Sequence, residues 1–342
     1  MNIYDKNGYL NMGKLIDIDV PFIFIVGARG IGKTYGAIME MRKRNEVFML
    51  MRRTQTQADL ISKHDFSPLI SPLNDLGESF VTTPISKQCS ACNIVYSDET
   101  VNPTPFCYTG ALSTLSNMRG FDASHINYLI YDEFIPEPNE RPIKEEAKAF
   151  FNGYETMNRN RELKGQEPLK AVLLANSFNM ANPLFIQLGL VMRTQNMLKK
   201  HNEVFIDKNR GLALIVPQES PISSRKRQTA LYKLTQDSDY SLMALDNEFI
   251  YDTPDNVDKR RLIEYYPIVT IGEITIYKHK SDGTYYVSEH VTGSPKDIYT
   301  MSDNDRKRFV RKYNYLWQMF MKNKLFFESY LCQVLFDRTF AL

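Results

Sequence analysis

Two short stretches carry residue types that do chemistry with phosphate. Residues 27–34 read GARGIGKT, which fits G-x-x-x-x-G-K-[ST] and follows the apolar run FIFIV. Glycines let a chain wrap closely enough for backbone N–H groups to face a phosphate, and the helix that opens next adds its positive end. Within Gly27, Ala28, Arg29, Gly30, Ile31, Gly32, Lys33 and Thr34, the lysine reaches the terminal phosphates of ATP and the threonine hydroxyl takes Mg²⁺. The alternative is a glycine turn joining strand to helix. Residues 127–134, NYLIYDEF, end a second apolar run on Asp132 and Glu133. At the carboxyl edge of a sheet such a pair divides the work, Asp132 securing the metal and Glu133 polarising the attacking water. A third run, KAVLLANS, ends on Asn176, an amide placed to sense a phosphate or the lytic water. Arg159 and Arg161, in MNRNREL, are candidates for an arginine that enters a neighbouring subunit's site.

These groups need a scaffold that brings several strand ends together. Phe22–Val26, Val47–Met51, Tyr128–Tyr131 and Ala171–Ala175 read as buried strands, being short, apolar and bounded by polar residues or glycine. Helical patterns at Thr34–Arg44 and Lys144–Asn158 lie between them, so the class is α/β: a P-loop NTPase of ASCE type, mostly parallel, with helices on both faces. Extra strands at NIVYSD and PFCYTG are expected beside the sheet. The composition shifts near PQESPISSRKRQT, which reads as a linker or hinge. Beyond it, IVTIGEITIYKHKSDGTYYVSEHV reads as an antiparallel meander turning at Asp282-Gly283, and SDND caps a helical tail over residues 305–337. The expected division is an ATPase domain at 1–222, a linker at 223–253 and a smaller α+β domain at 254–342.

The chain of 342 residues carries a formal charge of only +2, so contact with a polyanion must come from local clusters. Its polar N-terminus lacks the apolar stretch of a signal, and no run of about 18 apolar residues suggests a membrane span. Cys89 and Cys92 form one C-x-x-C with no second pair at zinc spacing, so ordinary thiols are expected.

In this order the motifs resemble the DNA-packaging ATPases of φ29-like phages. IVGARGIGKT is similar to that family's P-loop, YDEF to its Walker B, NRNRE to its arginine-finger segment, and LLANS with NPLF to its sensor strand and loop. MALDNEFI (243–250), IYTMSDND and NKLFFESYL also have counterparts, so the likeness spans nearly the whole chain. The resemblance implies an ATP-driven, Mg²⁺-dependent motor that moves double-stranded viral DNA into a preformed capsid. It further implies a homomeric ring, commonly a pentamer, working in the host cytoplasm and docked at the portal, and leaves open whether a structural RNA is a further partner. It assigns Arg159 as the trans-acting finger and Arg119 as a second trans-acting residue. It makes the C-terminal domain a vestigial RNase H-like nuclease, whose central strands here carry only Glu273. DNA is gripped through its phosphates, and the candidates are Arg52, Arg53 and the TQTQ loop after them, Arg225, Lys226 and Arg227, the KRR at 259–261 and the RKRFVRK at 306–312. Each basic cluster is equally a solvated face, and RNA or capsid would use the same residues. The rival readings are another ring ATPase acting on nucleic acid, such as a helicase or DNA pump, and a nucleotide-gated scaffold that does not hydrolyse.

Overall fold

A computed structural model describes residues 1–118, 120–136, 140, 143–176, 180, 182–218, 220–235 and 256–340. The chain divides into two compact units, Met1–Tyr251 and Asp252–Leu342.

Unit 1 is built on one nine-stranded sheet. Its elements run α1 (Met12–Ile16), β1 (Phe22–Val26), α2 (Lys33–Lys43), β2 (Phe48–Arg52), α3 (Gln55–Ile61), α4 (Ile70–Asp75), β3 (Ser79–Pro84), β4 (Ser90–Val95) and β5 (Cys107–Ala111). They continue with β6 (Tyr128–Asp132), α5 (Glu146–Asn158), β7 (Lys170–Ala175), α6 (Pro183–Gln187), α7 (Val191–Lys199), β8 (Val204–Asp207), β9 (Leu212–Ile215), α8 (Pro221–Lys226) and α9 (Ala230–Leu234). The strand order is β3-β4-β5-β2-β6-β7-β1-β9-β8. The pairs from β5 through β9 are parallel, and antiparallel strands close both edges. Thus β3, β4 and β5 extend the sheet itself.

Alternation along the strands explains why both faces are covered. Ile23 and Ile25 pack with Ile38 and Met41 of α2 and Leu73 of α4 on one face. Phe24, between them, points the other way and meets Phe134 and Phe185 edge-on. On that second face Tyr131 stacks on Phe150 of α5. Strand β7 stands between β1 and β6, with Val26 opposite Ala175 and Asp132 opposite Leu174. Neighbouring strands lie about 4.8 Å apart, so this order gathers the ends of β1, β7 and β6 within roughly 10 Å.

The expected linker starts as structure. Pro221, at the first position of α8, is preset for a helix and lacks only an N–H that would have had no partner. Ile222 and Ser223 of that helix are buried. The remainder of the expected hinge, from residue 236 to 253, and with it MALDNEFI, lies outside the described residues.

Unit 2 has a five-stranded sheet of order β13-β10-β11-β12-β14, formed by β10 (Tyr265–Ile271), β11 (Ile274–His279), β12 (Tyr285–Ser288), β13 (Asp297–Tyr299) and β14 (Leu325–Phe327). The three central strands are an antiparallel meander, and β13 and β14 pair in parallel with its two edges. Helices α10 (Asp303–Met321) and α11 (Tyr330–Phe340) cover it through Phe309, Leu316 and Phe336. Ser302 caps α10 by accepting from the Asp305 N–H. The expected single helical tail is corrected here: Asn323 takes a left-handed φ of 54°, and the apolar run Leu325–Phe327 pairs with β12 before α11 starts. Glu273 sits in the exposed turn between β10 and β11, beside Gly272 at φ 55°, not on a strand. Among the described residues no helix is long and apolar enough to cross a membrane.

Candidate active site

The loop after β1 closes into a cradle because two glycines take conformations that other residues adopt at a cost. Gly30 has φ 68° and Gly32, the N-cap of α2, has φ 89°. Lys33 then enters the first turn of α2 with its side chain folded back over the loop. Its ammonium donates to the carbonyls of Gly27 (2.8 Å) and Ala28 (2.7 Å) and to Asn176 Oδ1 (3.0 Å). Three acceptors match the three protons of an ammonium. Burial pushes the Lys33 pKa down to about 7; the Asp132 carboxylate opposes that shift, and the charges of Lys226 and Arg29 add to it.

The acidic pair faces this lysine. The Thr34 hydroxyl lies 3.0 and 3.1 Å from the two Asp132 oxygens and donates to that carboxylate. Asp132 is buried, which raises its pKa, while the Arg52 guanidinium 2.9 Å away pulls it back. Backbone pairing ends at Asp132, and Glu133 turns into the left-handed region at φ 58°, a strain of about 1 kcal/mol for a residue with a Cβ. That turn swings its carboxylate outward, leaving the side chain 47% exposed and paired with Arg52. Arg29, Gly30, Gly32, Lys33, Thr34, Tyr35, Asp132, Glu133, Ala175 and Asn176 line one hollow of about 320 Å³. Lys33, Thr34, Asp132, Glu133 and Asn176, read from three separate motifs, therefore meet in one place. A second hollow of about 690 Å³ adjoins it, sharing Gly30, Gly32 and Tyr35 and walled by Asn7, Tyr9, Asn11 and Met39.

A hydroxyl and a carboxylate, both hard oxygen donors beside a phosphate cradle, are the set Mg²⁺ takes. Thr34 and Asp132 fit that ion.

Several basic residues expected at DNA or a neighbouring subunit have other duties. Arg52 ends β2, the lateral neighbour of β6, and its guanidinium spans Asp132 and Glu133. Arg53, one residue on, points away and has no exposure. It donates to Glu146 at 2.8 and 3.0 Å and to Glu140, with the Tyr131 hydroxyl also on Glu146. A guanidinium so enclosed does not reach DNA. The TQTQ loop is a helix start: Thr54 caps α3 and Gln57 closes the capping box. Arg161 is 7% exposed, and one of its guanidinium nitrogens lies within 3.0 Å of the Ala123, Ser124 and Ile126 carbonyls. It is a structural strut, not an inserted finger. Lys226 is half-buried against the phosphate loop, donating to the Arg29 carbonyl.

Arg159 differs from Arg161. It ends α5 at a left-handed φ of 48°, is 41% exposed, and donates to the Phe121 carbonyl (2.7 Å) and to Asp122 (3.4 Å). Arg119, just ahead of that turn, lies outside the described residues. Arg225 and Arg227 are exposed, as are Lys307, Arg308, Arg311 and Lys312 on α10, where Lys312 pairs with Asp297 and Arg308 with Asp305. In the KRR cluster Arg260 covers the Phe326 ring at 3.3 Å. All four cysteines are free and buried.

Sequence reasoning did not find Arg52 or Glu146 in these roles. The only signal was that both are charged residues bordering apolar runs, and their partners are distant in the chain.

The model of the family described as Podovirus DNA encapsidation protein (Gp16) matches residues 4–339. The DNA packaging protein of Bacillus phage PZA is 26% identical over 309 residues, covering 88% of this chain and 85% of that protein. That of Bacillus phage B103 is 25% identical over 345 residues, covering 94% and 97%. Among solved structures, the bacteriophage Phi-29 viral genome packaging motor assembly superposes with a TM-score of 0.66 at 22% identity, over 97% of this chain and 99% of that one. The Phi-28 gp11 DNA packaging motor gives 0.65 at 19% identity, over 98% and 99%. At this identity the structural likeness speaks for the fold.

Proposed function

The chain belongs to the Podovirus DNA encapsidation protein (Gp16) family, and from that premise we propose that it is a ring-forming, Mg²⁺-dependent ATPase that drives double-stranded viral DNA into a preformed capsid. The observation that carries this reading is the convergence of Lys33, Thr34, Asp132, Glu133 and Asn176 on one hollow at the strand ends.

The mechanism follows from what each group can do. Backbone N–H groups of residues 27–34 and the Lys33 ammonium bind the phosphates of ATP, and the base occupies the neighbouring hollow beside Tyr9 and Tyr35. Thr34 and Asp132 hold Mg²⁺, which neutralises phosphate charge when bound. Glu133, released from Arg52, accepts a proton from water as that water attacks the terminal phosphorus, the bond to the bridging oxygen breaks, and ADP and phosphate result. Asn176, already on Lys33, changes partner when the terminal phosphate arrives or leaves. Arg159 completes the site of an adjacent subunit. Its position on an exposed helix end, held by the turn that follows Arg119, supports that assignment.

The motor works in the host cytoplasm, docked at the portal of the capsid, as a ring of the pentameric kind. Exposed basic residues at Arg225 and Arg227 and along α10 are the surfaces offered to DNA, to capsid or to a structural RNA. Unit 2, read as a nuclease-derived domain, makes contacts without cleaving. Glu273 in an exposed turn supports that, and incubation of plasmid with the protein and Mn²⁺ should leave the plasmid intact.

The deciding experiment mixes subunits. Glu133→Gln and Arg159→Ala proteins should each bind ATP and each fail to turn it over, while mixed rings regain DNA-stimulated hydrolysis. Mixed rings as inactive as both parents would remove the trans assignment, and an active Glu133→Gln protein would remove the catalytic one.

A further inference from the structure

Lys226 reaches the phosphate loop from a helix that the nucleotide motifs do not include. Helix α8 is seated tightly beside that loop. Ser220, buried, donates its hydroxyl to the Gly8 carbonyl at 3.0 Å. Gly8, at φ 88°, leaves no space: a Cβ there would stand 2.9 Å from Pro221 Cβ and 3.0 Å from the Ile222 nitrogen. Ile222 joins the main core of unit 1. From this seat Lys226 donates to the carbonyl of Arg29, inside the loop, and a Cβ on Gly30 would lie 3.1 Å from its ammonium. The ammonium is also 5.0 Å from the centre of the Tyr232 ring of α9. Two lysines, Lys33 and Lys226, are thus committed to carbonyls of the same short loop. Like charges in a poorly hydrated site repel, and a bound polyanion relieves that repulsion.

We propose that Lys226 is a positioning residue that couples α8 to the phosphate cradle: it fixes the Arg29 carbonyl so that the loop's N–H groups stay turned inward, and it holds α8 more firmly in its seat when a triphosphate fills the site. Occupancy is thereby transmitted to the segment that leads, in sequence, to unit 2. The inference rests on the nucleotide-binding reading above and adds to it a mechanical output.

Hydrogen exchange of the full chain tests it, with and without the β,γ-imido analogue of ATP and, separately, inorganic tripolyphosphate. In the unaltered protein both ligands should protect amides of residues 27–34 and of 221–235. In Lys226→Met the first set should still respond at saturating ligand, the second should not, and affinity should fall about tenfold, the effect of losing one charge-assisted contact. Lys226→Arg should restore the response of 221–235. An unaltered protein whose 221–235 amides ignore both ligands while 27–34 respond overturns the coupling. So does a Lys226→Met protein that keeps the response with affinity within twofold. If residues 27–34 respond to neither ligand, the nucleotide-binding reading itself falls, and the coupling with it.

Discussion

Replacing Glu146 by alanine strands the Arg53 guanidinium in the interior of unit 1. Arg53 is fully buried, and two of its hydrogen bonds, at 2.8 and 3.0 Å, go to Glu146. Breaking a buried ion pair from one side costs about 3–5 kcal/mol, because the remaining charge is left uncompensated. Glu140 stays as a partner and is 26% exposed, which places the loss near the low end, about 3 kcal/mol. At about 2–4 °C per kcal/mol for a folding unit of this size, Tm should drop by roughly 6–12 °C. Arg53→Met takes the cation from the buried Glu146 carboxylate, which keeps the Tyr131 hydroxyl, and should cost a similar amount. The double variant Arg53→Met/Glu146→Leu should recover most of the loss, since an apolar pair of similar volume often replaces a buried ion pair at little cost. Differential scanning calorimetry on the full-length protein at neutral pH reads all three. The reasoning fails if either single variant shifts Tm by less than about 2 °C, or if the double variant is no better than the singles. It fails equally if Arg53→Met keeps its Tm and loses salt-dependent DNA binding, the signature of a phosphate contact.

Arg52→Ala should behave differently from its neighbour: with no guanidinium holding Glu133, ATP turnover in the absence of DNA should rise, while ATP affinity, measured by fluorescent-nucleotide titration, changes by less than about threefold, because Arg52 pairs with the carboxylates and not with the loop that binds phosphate. Arg161→Met should destabilise unit 1 by about 1–3 kcal/mol in urea unfolding, since the Ala123, Ser124 and Ile126 carbonyls lose a charged donor; Arg159→Ala, at a half-exposed site, should stay within about 0.5 kcal/mol. Asp337 in α11 has its pKa pushed up by burial to about 6. A raised carboxyl pKa means the folded state holds the proton more tightly, so this contribution is full below the ordinary value near 3.8 and is lost as pH climbs to about 6. Asp337→Asn should therefore raise Tm at pH 7, by an amount on the order of 2 kcal/mol in stability, and the gain should vanish below about pH 4 in paired melts.

The cradle was legible because it is local. Gly27 to Thr34 are contiguous, so their backbone conformation and the start of α2 follow from residue type and order, and the apolar runs before Gly27, Asp132 and Asn176 announce strands that end in chemistry. The strands that carry these residues were similarly plain, being short apolar runs with a polar end, whereas Leu212–Ile215 and Leu325–Phe327, shorter still, become strands only by pairing with β1 and β12. The lateral order of those strands was decided only by tertiary packing. Placing β2 beside β6 puts Arg52 on the carboxylates, and the two-residue alternation of a strand sends Arg53 to Glu146 instead. The same holds for Arg159 and Arg161, two positions apart in one motif, where the turn after α5 exposes the first and buries the second among carbonyls. Composition made residues 217–229 look like linker, yet packing against Gly8 and the phosphate loop turned part of it into α8 and set Lys226 on Arg29. Sequence carries periodicity and local conformational preference. Which distant charge a basic side chain meets depends on hydrogen-bonded neighbours many residues away, and that choice exists only in the folded chain.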